Sequence, residues 1–195
     1  MTTGTWESIW VSLLGEASDL ADKASMREDA TLGAAAASII VSRSAWDAFV
    51  SEFVEWRDLD RGIKRLEFDE TLNRVAKELR VSNQLSSGAD AWGPLRLLNQ
   101  VRNAIVHYKS QPLGNQDLPG PWLADLIRRG VVYEGNRTWE RSVCTAQVAR
   151  WSCTVVGDAI LLLESIPTKR RRSPEAVRLD VSRSLRRQHD PFGGG

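Results

Sequence analysis

Apolar residues along this chain recur at intervals of three and four, the spacing that lines one face of a helix. From about Thr5 to Met26 the stripe is Trp6, Ile9, Trp10, Leu13, Leu14, Ala17, Leu20, Ala21 and Ala24. A second stripe runs from about Thr31 to Arg57, with an alanine run, then Ile39, Ile40, Val41, Trp46, Phe49, Val50, Phe53, Val54 and Trp56. Its first half is apolar nearly all round, as a helix buried on several sides would be. The charged stretch from Arg57 to Phe68, with its glycine, breaks the pattern. A shorter helix is predicted from about Asp69 to Arg80, facing inward with Leu72, Val75, Ala76 and Leu79. After a Ser-Ser-Gly-Ala-Asp loop, Pro94 suits a first helical turn, and Leu95, Leu97, Leu98, Val101, Ile105 and Val106 carry that helix to about Lys109.

Residues 110–120 hold two prolines and two glycines and should be irregular. Pro121 opens a short helix that Gly130 closes. The last long helix is expected from about Trp139 to Ile166, with Thr138 as N-cap and Pro167 as stop. Strand alternation is weak everywhere, and Val131 to Tyr133 is its one candidate. The pattern therefore predicts an all-α fold, an up-and-down bundle of four to five long helices over residues 1–167. Residues 168–195 form a separate tail. It begins Lys169-Arg170-Arg171-Arg172, and Ser173-Pro174-Glu175 offers it a helix start.

A chain of 195 residues can bury one real core without staples. Tryptophan is over-represented, with eight copies, and rings spread this evenly usually fill gaps between long helices. Charge divides the chain more sharply than hydropathy does. The first 167 residues carry 18 basic and 22 acidic side chains, a net of −4, whereas the last 28 carry 8 and 3, a net of +5. Such a tail is either a solvated extension or an arm that attracts phosphates or docks a partner.

Cys144 and Cys153 stand nine residues apart in what reads as one helix, roughly 13 Å between α-carbons, which is too far for a disulfide. With no signal peptide and no long apolar span evident in the pattern, the expected setting is a reducing cytoplasm, with no membrane contact.

The candidate chemistry lies on the helix that Pro94 opens. Asn103 and His107 are four apart and share a face, and the long side chain of Arg102 can swing toward the imidazole. Val101, Ala104, Ile105 and Val106 are expected to anchor the same helix in the core. A guanidinium, an amide and an imidazole together suit phosphodiester cleavage in RNA. Histidine, which titrates near neutrality, takes the proton from a 2′-hydroxyl or gives one to the leaving oxygen. Arginine offers paired donors to phosphate and stabilises charge building on phosphorus. The amide holds the histidine tautomer or the phosphate. That route needs no metal and no cofactor, and no carboxylate–histidine ligand set is apparent. A second arginine–histidine spacing, Arg183 to His189, falls on the tail with no apolar helix around it.

Arg102-Asn103-Ala104-Ile105-Val106-His107 resembles the Arg-x4-6-His hallmark of HEPN domains, in which a polar residue directly follows the arginine. The stretch from Ala34 to Trp56 is similar to that family's second helix, with Asp47 where glutamate is usual. The likeness covers roughly Trp6 to Ile166. It implies a metal-independent endoribonuclease, often a toxin or a defence effector, working as a homodimer whose two motifs face one cleft. It further implies that Arg102 and His107 are essential, that Asn103 supports them, and that Asp47 or Glu52 helps to align the site. Lys109, Lys169, Arg170, Arg171 and Arg172 are candidate RNA contacts, and an antitoxin or regulatory protein is a candidate partner. One HEPN branch is controlled by modification of a tyrosine two residues after the histidine. Here Tyr108 follows His107 directly and Lys109 takes that place. The alternative from the residues alone is a non-catalytic dimerisation or RNA/partner-binding module of the same fold. A nucleotide-binding role would want a glycine-rich phosphate loop, which the sequence lacks.

Overall fold

The computed structural model of the chain describes residues 8–26, 31–81, 92–107, 121–133 and 138–167. Among these the protein is all-helical and has no strand, and its helices pack as a bundle. The helices are α1 (Ile9–Met26), α2 (Thr31–Trp56), α3 (Phe68–Glu78), α4 (Gly93–Val106), α5 (Pro121–Arg128), α6 (Trp139–Val143) and α7 (Ala146–Ser165), with a 3₁₀ turn at Arg61–Arg65. In the weak strand candidate Val131–Tyr133, Val131 and Val132 form a bend and Tyr133 is irregular. Trp6, the loop after Val81, the segment from Tyr108 to Gly120 and the tail from Thr168 onward lie outside the described residues.

Helices α1, α2 and α7 pack against one another and form the body of the bundle. Small residues let them approach. Ala17, Ala21 and Ala24 of α1, Ala35, Ser38, Ser42 and Ala45 of α2, and Ser152, Cys153 and Gly157 of α7 are all buried. Larger side chains fill the other flank of α2. Trp46, Phe49, Phe53 and Val54 are at most 1 % exposed, and burying an apolar side chain such as Phe or Val stabilises by about 1.5–3 kcal/mol. The Trp10 ring meets Phe49 edge-on at 5.5 Å, and Trp46 meets Trp92 at 5.9 Å, which ties α2 to the start of α4. Of the described tryptophans, Trp10, Trp46 and Trp92 are buried, while Trp56, Trp122, Trp139 and Trp151 pack half-buried against the core.

Boundaries follow the punctuation. Pro94 sits in the first turn of α4, and Gly130 takes a φ of 69° just beyond α5, where a side chain would be strained. The Arg57 guanidinium donates to the carbonyls of Leu163 and Glu164, satisfying the last turn of α7 and pinning it to the end of α2.

One predicted helix is two. The segment from Trp139 to Ile166 breaks at Cys144 and Thr145, and Thr145 accepts a hydrogen bond from the Val148 amide as the N-cap of α7. Thr138, the expected cap, makes no such bond. The two cysteines therefore do not share a helix, although both are free and buried. The same region corrects the expectation that no long apolar span exists. Helix α7 is long and apolar enough to cross a membrane by length and composition alone, but over half of it is buried against the bundle. Core packing accounts for its hydropathy.

Candidate functional site

Helix α4 has a buried side and a polar side. Leu95, Leu97, Leu98 and Val101 face the core, which fixes the rotation of the helix and sets Asn99, Arg102 and Asn103 toward its margin. Arg102 Nη1 donates to Asn103 Oδ1 at 3.0 Å, so the guanidinium and the amide form one unit. Arg102 is half-buried, whereas Asn103 and His107 are exposed.

The helix stops earlier than its apolar pattern predicts. Val106 is its last residue, and His107 caps it with φ −99° and ψ 11°. The His107 amide still donates to the Asn103 carbonyl at 2.9 Å, so the imidazole starts one helical turn beyond Asn103. It sits where the last carbonyls of α4 emerge, at the negative end of the helix dipole. Among the described residues no hydrogen bond holds the imidazole to Arg102 or Asn103.

The two candidate carboxylates of α2 part company. Asp47 forms an ion pair with Arg43, one turn earlier on α2. Arg43 is buried at 7 %, lays its guanidinium over the Phe68 ring at 4.4 Å, and donates from Nε to Asn99 Oδ1 at 3.1 Å. Asp47 is thus linked through Arg43 to the helix that bears the motif, one turn before Asn103. Glu52 is engaged elsewhere, since its Oε1 accepts the Ile9 amide at 3.1 Å and so caps the start of α1. Five residues past Asp47 also means about 140° further round the helix. Glu52 caps α1, and among the described residues no hydrogen bond or ion pair joins it to Arg102, Asn103 or His107. Lys109, Lys169, Arg170, Arg171 and Arg172 fall outside the described residues.

Arg43 and Asn99 escape the motif but leave a trace in the sequence. Arg43 is a lone charge after Ile39-Ile40-Val41-Ser42, and Asn99 stands four residues before Asn103, on its face. Between α1, α2 and α7 the buried hydroxyls pair within the protein. Ser42 Oγ lies 3.1 Å from Ser152 Oγ and donates to the Ser38 carbonyl at 2.8 Å, while Ser38 Oγ donates to the Ala17 carbonyl at 2.7 Å. Cys153 Sγ rests 3.4 Å from Ser42 Oγ, and burial raises its pKa, so it stays a thiol. Among the described residues no three histidine, cysteine, aspartate or glutamate side chains group to hold a metal ion. No known family model, curated protein or solved structure matches the chain.

Proposed function

We propose that this chain is a metal-independent endoribonuclease of HEPN type, acting as a homodimer in the manner of a toxin or defence effector. The supporting observation is the Arg102–Asn103 pair, bonded on the polar margin of a core-anchored helix, with His107 exposed one turn beyond it. A half-buried guanidinium held by an amide is already oriented for a phosphate. The His107 imidazole, held by no hydrogen bond among the described residues, is able to meet a proton on a bound strand.

In this reading the 2′-hydroxyl gives its proton to an imidazole as its oxygen attacks phosphorus. The P–O2′ bond forms, the P–O5′ bond breaks, and the leaving oxygen takes a proton from a second acid, the imidazole of the other protomer across a shared cleft. Arg102 offsets charge on the non-bridging oxygens. The products are a 2′,3′-cyclic phosphate and a 5′-hydroxyl. A second reading, a non-catalytic dimerisation or RNA/partner-binding module, is favoured by Val106, an apolar side chain 43 % exposed beside His107. Such a residue suits a contact between chains.

The deciding experiment is RNA cleavage in excess EDTA by the full chain and by His107→Ala protein of unchanged melting temperature. Cyclic-phosphate ends that vanish with the substitution support the nuclease. Cleavage undiminished by His107→Ala overturns it. No cleavage of transfer RNA, structured RNA or single strands, with Arg102→Ala losing dimerisation, supports the binding module.

A further inference from the structure

Asn99 is where the buried arginine meets the polar face of α4. Arginine carries only donors, so the oxygen of the Asn99 amide must be the atom turned to Arg43 Nε. The NH₂ group then points the other way. Among the described residues nothing accepts from that Nδ2, and Asn99 is only half-buried. Arg43 cannot easily turn, because Asp47 holds one end of its guanidinium and Phe68 lies under its plane. An amide fixed by its oxygen and open at its nitrogen is a preset donor. It stands one turn before Asn103 and two before His107, on the same side of one helix.

We propose that Asn99 is a substrate-binding residue, its NH₂ donating to a phosphate or ribose oxygen of an RNA strand laid along α4, and that Arg43 is the positioning residue that aims it. The inference rests on the ribonuclease reading for the identity of the ligand. It adds a contact two helical turns from His107, so its signature is in affinity and KM while kcat stays near that of the parent. The Asp47–Arg43–Asn99 relay also gives Asp47 a task, to hold Arg43 and not to touch the strand.

Binding is measured with a short fluorescein-labelled single-stranded RNA and full-length His107→Ala protein, which leaves the strand intact under the nuclease reading. Asn99→Asp in that background keeps an acceptor for Arg43 and removes the donor. It should weaken binding about ten-fold, as loss of one hydrogen bond to a charged group does. Gln100→Glu adds the same charge next door on an exposed position and controls for general repulsion. Its loss should be well under that of Asn99→Asp. Asn99→Ala should match the ten-fold loss, and Arg43→Lys added to Asn99→Ala should cost little more, since Arg43 acts through an amide already gone. Equal losses for Asn99→Asp and Gln100→Glu, or no loss in either, overturn the assignment. Independent losses for Arg43→Lys and Asn99→Ala overturn the positioning role. Should wild-type protein bind this RNA without ever cutting RNA, the nuclease reading fails, while the difference between Asn99→Asp and Gln100→Glu still decides whether Asn99 holds the strand. Should His107→Ala protein not bind RNA at all, Asn99 has no strand to hold and the proposal falls.

Discussion

Ser42 and Arg43 are neighbours on α2, yet they belong to two different kinds of interior. Ser42 faces α7, where every hydroxyl is matched within the protein: Ser42 with Ser152 and the Ser38 carbonyl, Ser38 with the Ala17 carbonyl, and Cys153 tucked between. Small residues bring three helices together there, and the polar atoms stitch them without surplus. Arg43 faces α4, where the polar groups are linked but not exhausted. Its guanidinium joins Asp47 to Asn99, and beyond lie Arg102, Asn103 and His107 with capacity left over. A polar interior that closes on itself serves stability. One that ends in unused donors at the surface is suited to a ligand. The difference separates the two sides of a single helix.

The sharpest break of that comparison is a pair of substitutions with opposite signatures. Phe49→Ala, in the fully buried flank of α2, should cost about 3–5 kcal/mol of unfolding free energy, because a large void opens where nothing can collapse. Urea denaturation reads it directly. His107→Ala should leave the denaturation midpoint unchanged, since the residue is exposed, while under the proposed nuclease function it lowers RNA cleavage by about 10²–10⁴-fold, the usual reach of acid–base catalysis. If His107→Ala instead unfolds the protein, the α4 face is structural and the contrast disappears.

A smaller effect sharpens the closed side. Thr145 restarts the chain into α7 after the bend at Cys144, and Thr145→Ala should cost about 1 kcal/mol through loss of that cap. Thr138→Ala, at the cap that the sequence favours, should change stability little, because its side chain caps nothing. Equal losses from both would mean that the break between α6 and α7 closes into one helix in solution.

These cases mark what can be read from the sequence. Helical stripes with three- and four-residue spacing locate α1, α2, α3 and the start of α4 to within a few residues, because one apolar face per helix is what packing demands. The break at Cys144–Thr145 is hidden, since Val143, Val148 and their neighbours keep an apolar rhythm across it and a threonine cap looks like any other threonine. The end of α4 escapes for a similar reason, its pattern running on through Val106 to Tyr108 without a glycine or proline. At the candidate site, residues close in sequence are legible and those joined across helices are not. Arg102, Asn103 and His107 declare themselves by spacing, whereas the bond from Arg43 to Asn99 spans 56 positions. Glu52 shows the converse hazard. Its place on α2 suggests the site, and only the fold reveals that it serves the first turn of α1.

The smallest expected effect is absent at neutral pH and emerges only in alkali. Cys144 packs with Ala21, Ala24, Ala35 and Ala149 at the closed side of the bundle. Burial first, and the charge of Glu140 second, push its thiol from the ordinary 9.0 up to about 11. Between those values the folded protein keeps a proton that the unfolded chain has released. Stability therefore falls as pH rises, since the folded state binds more protons there. The contribution is whole below pH 9 and is lost as pH climbs through the folded value. Cys144→Ala removes this thiol and leaves Cys153, whose pKa is also raised, in both proteins. Urea midpoints compared at neutral pH and then at two alkaline values should show wild type losing ground on Cys144→Ala protein as the pH rises. Parallel decline of the two would mean that the Cys144 thiol ionises against water. The closed side of α2 would then be open at the very bend where α7 begins.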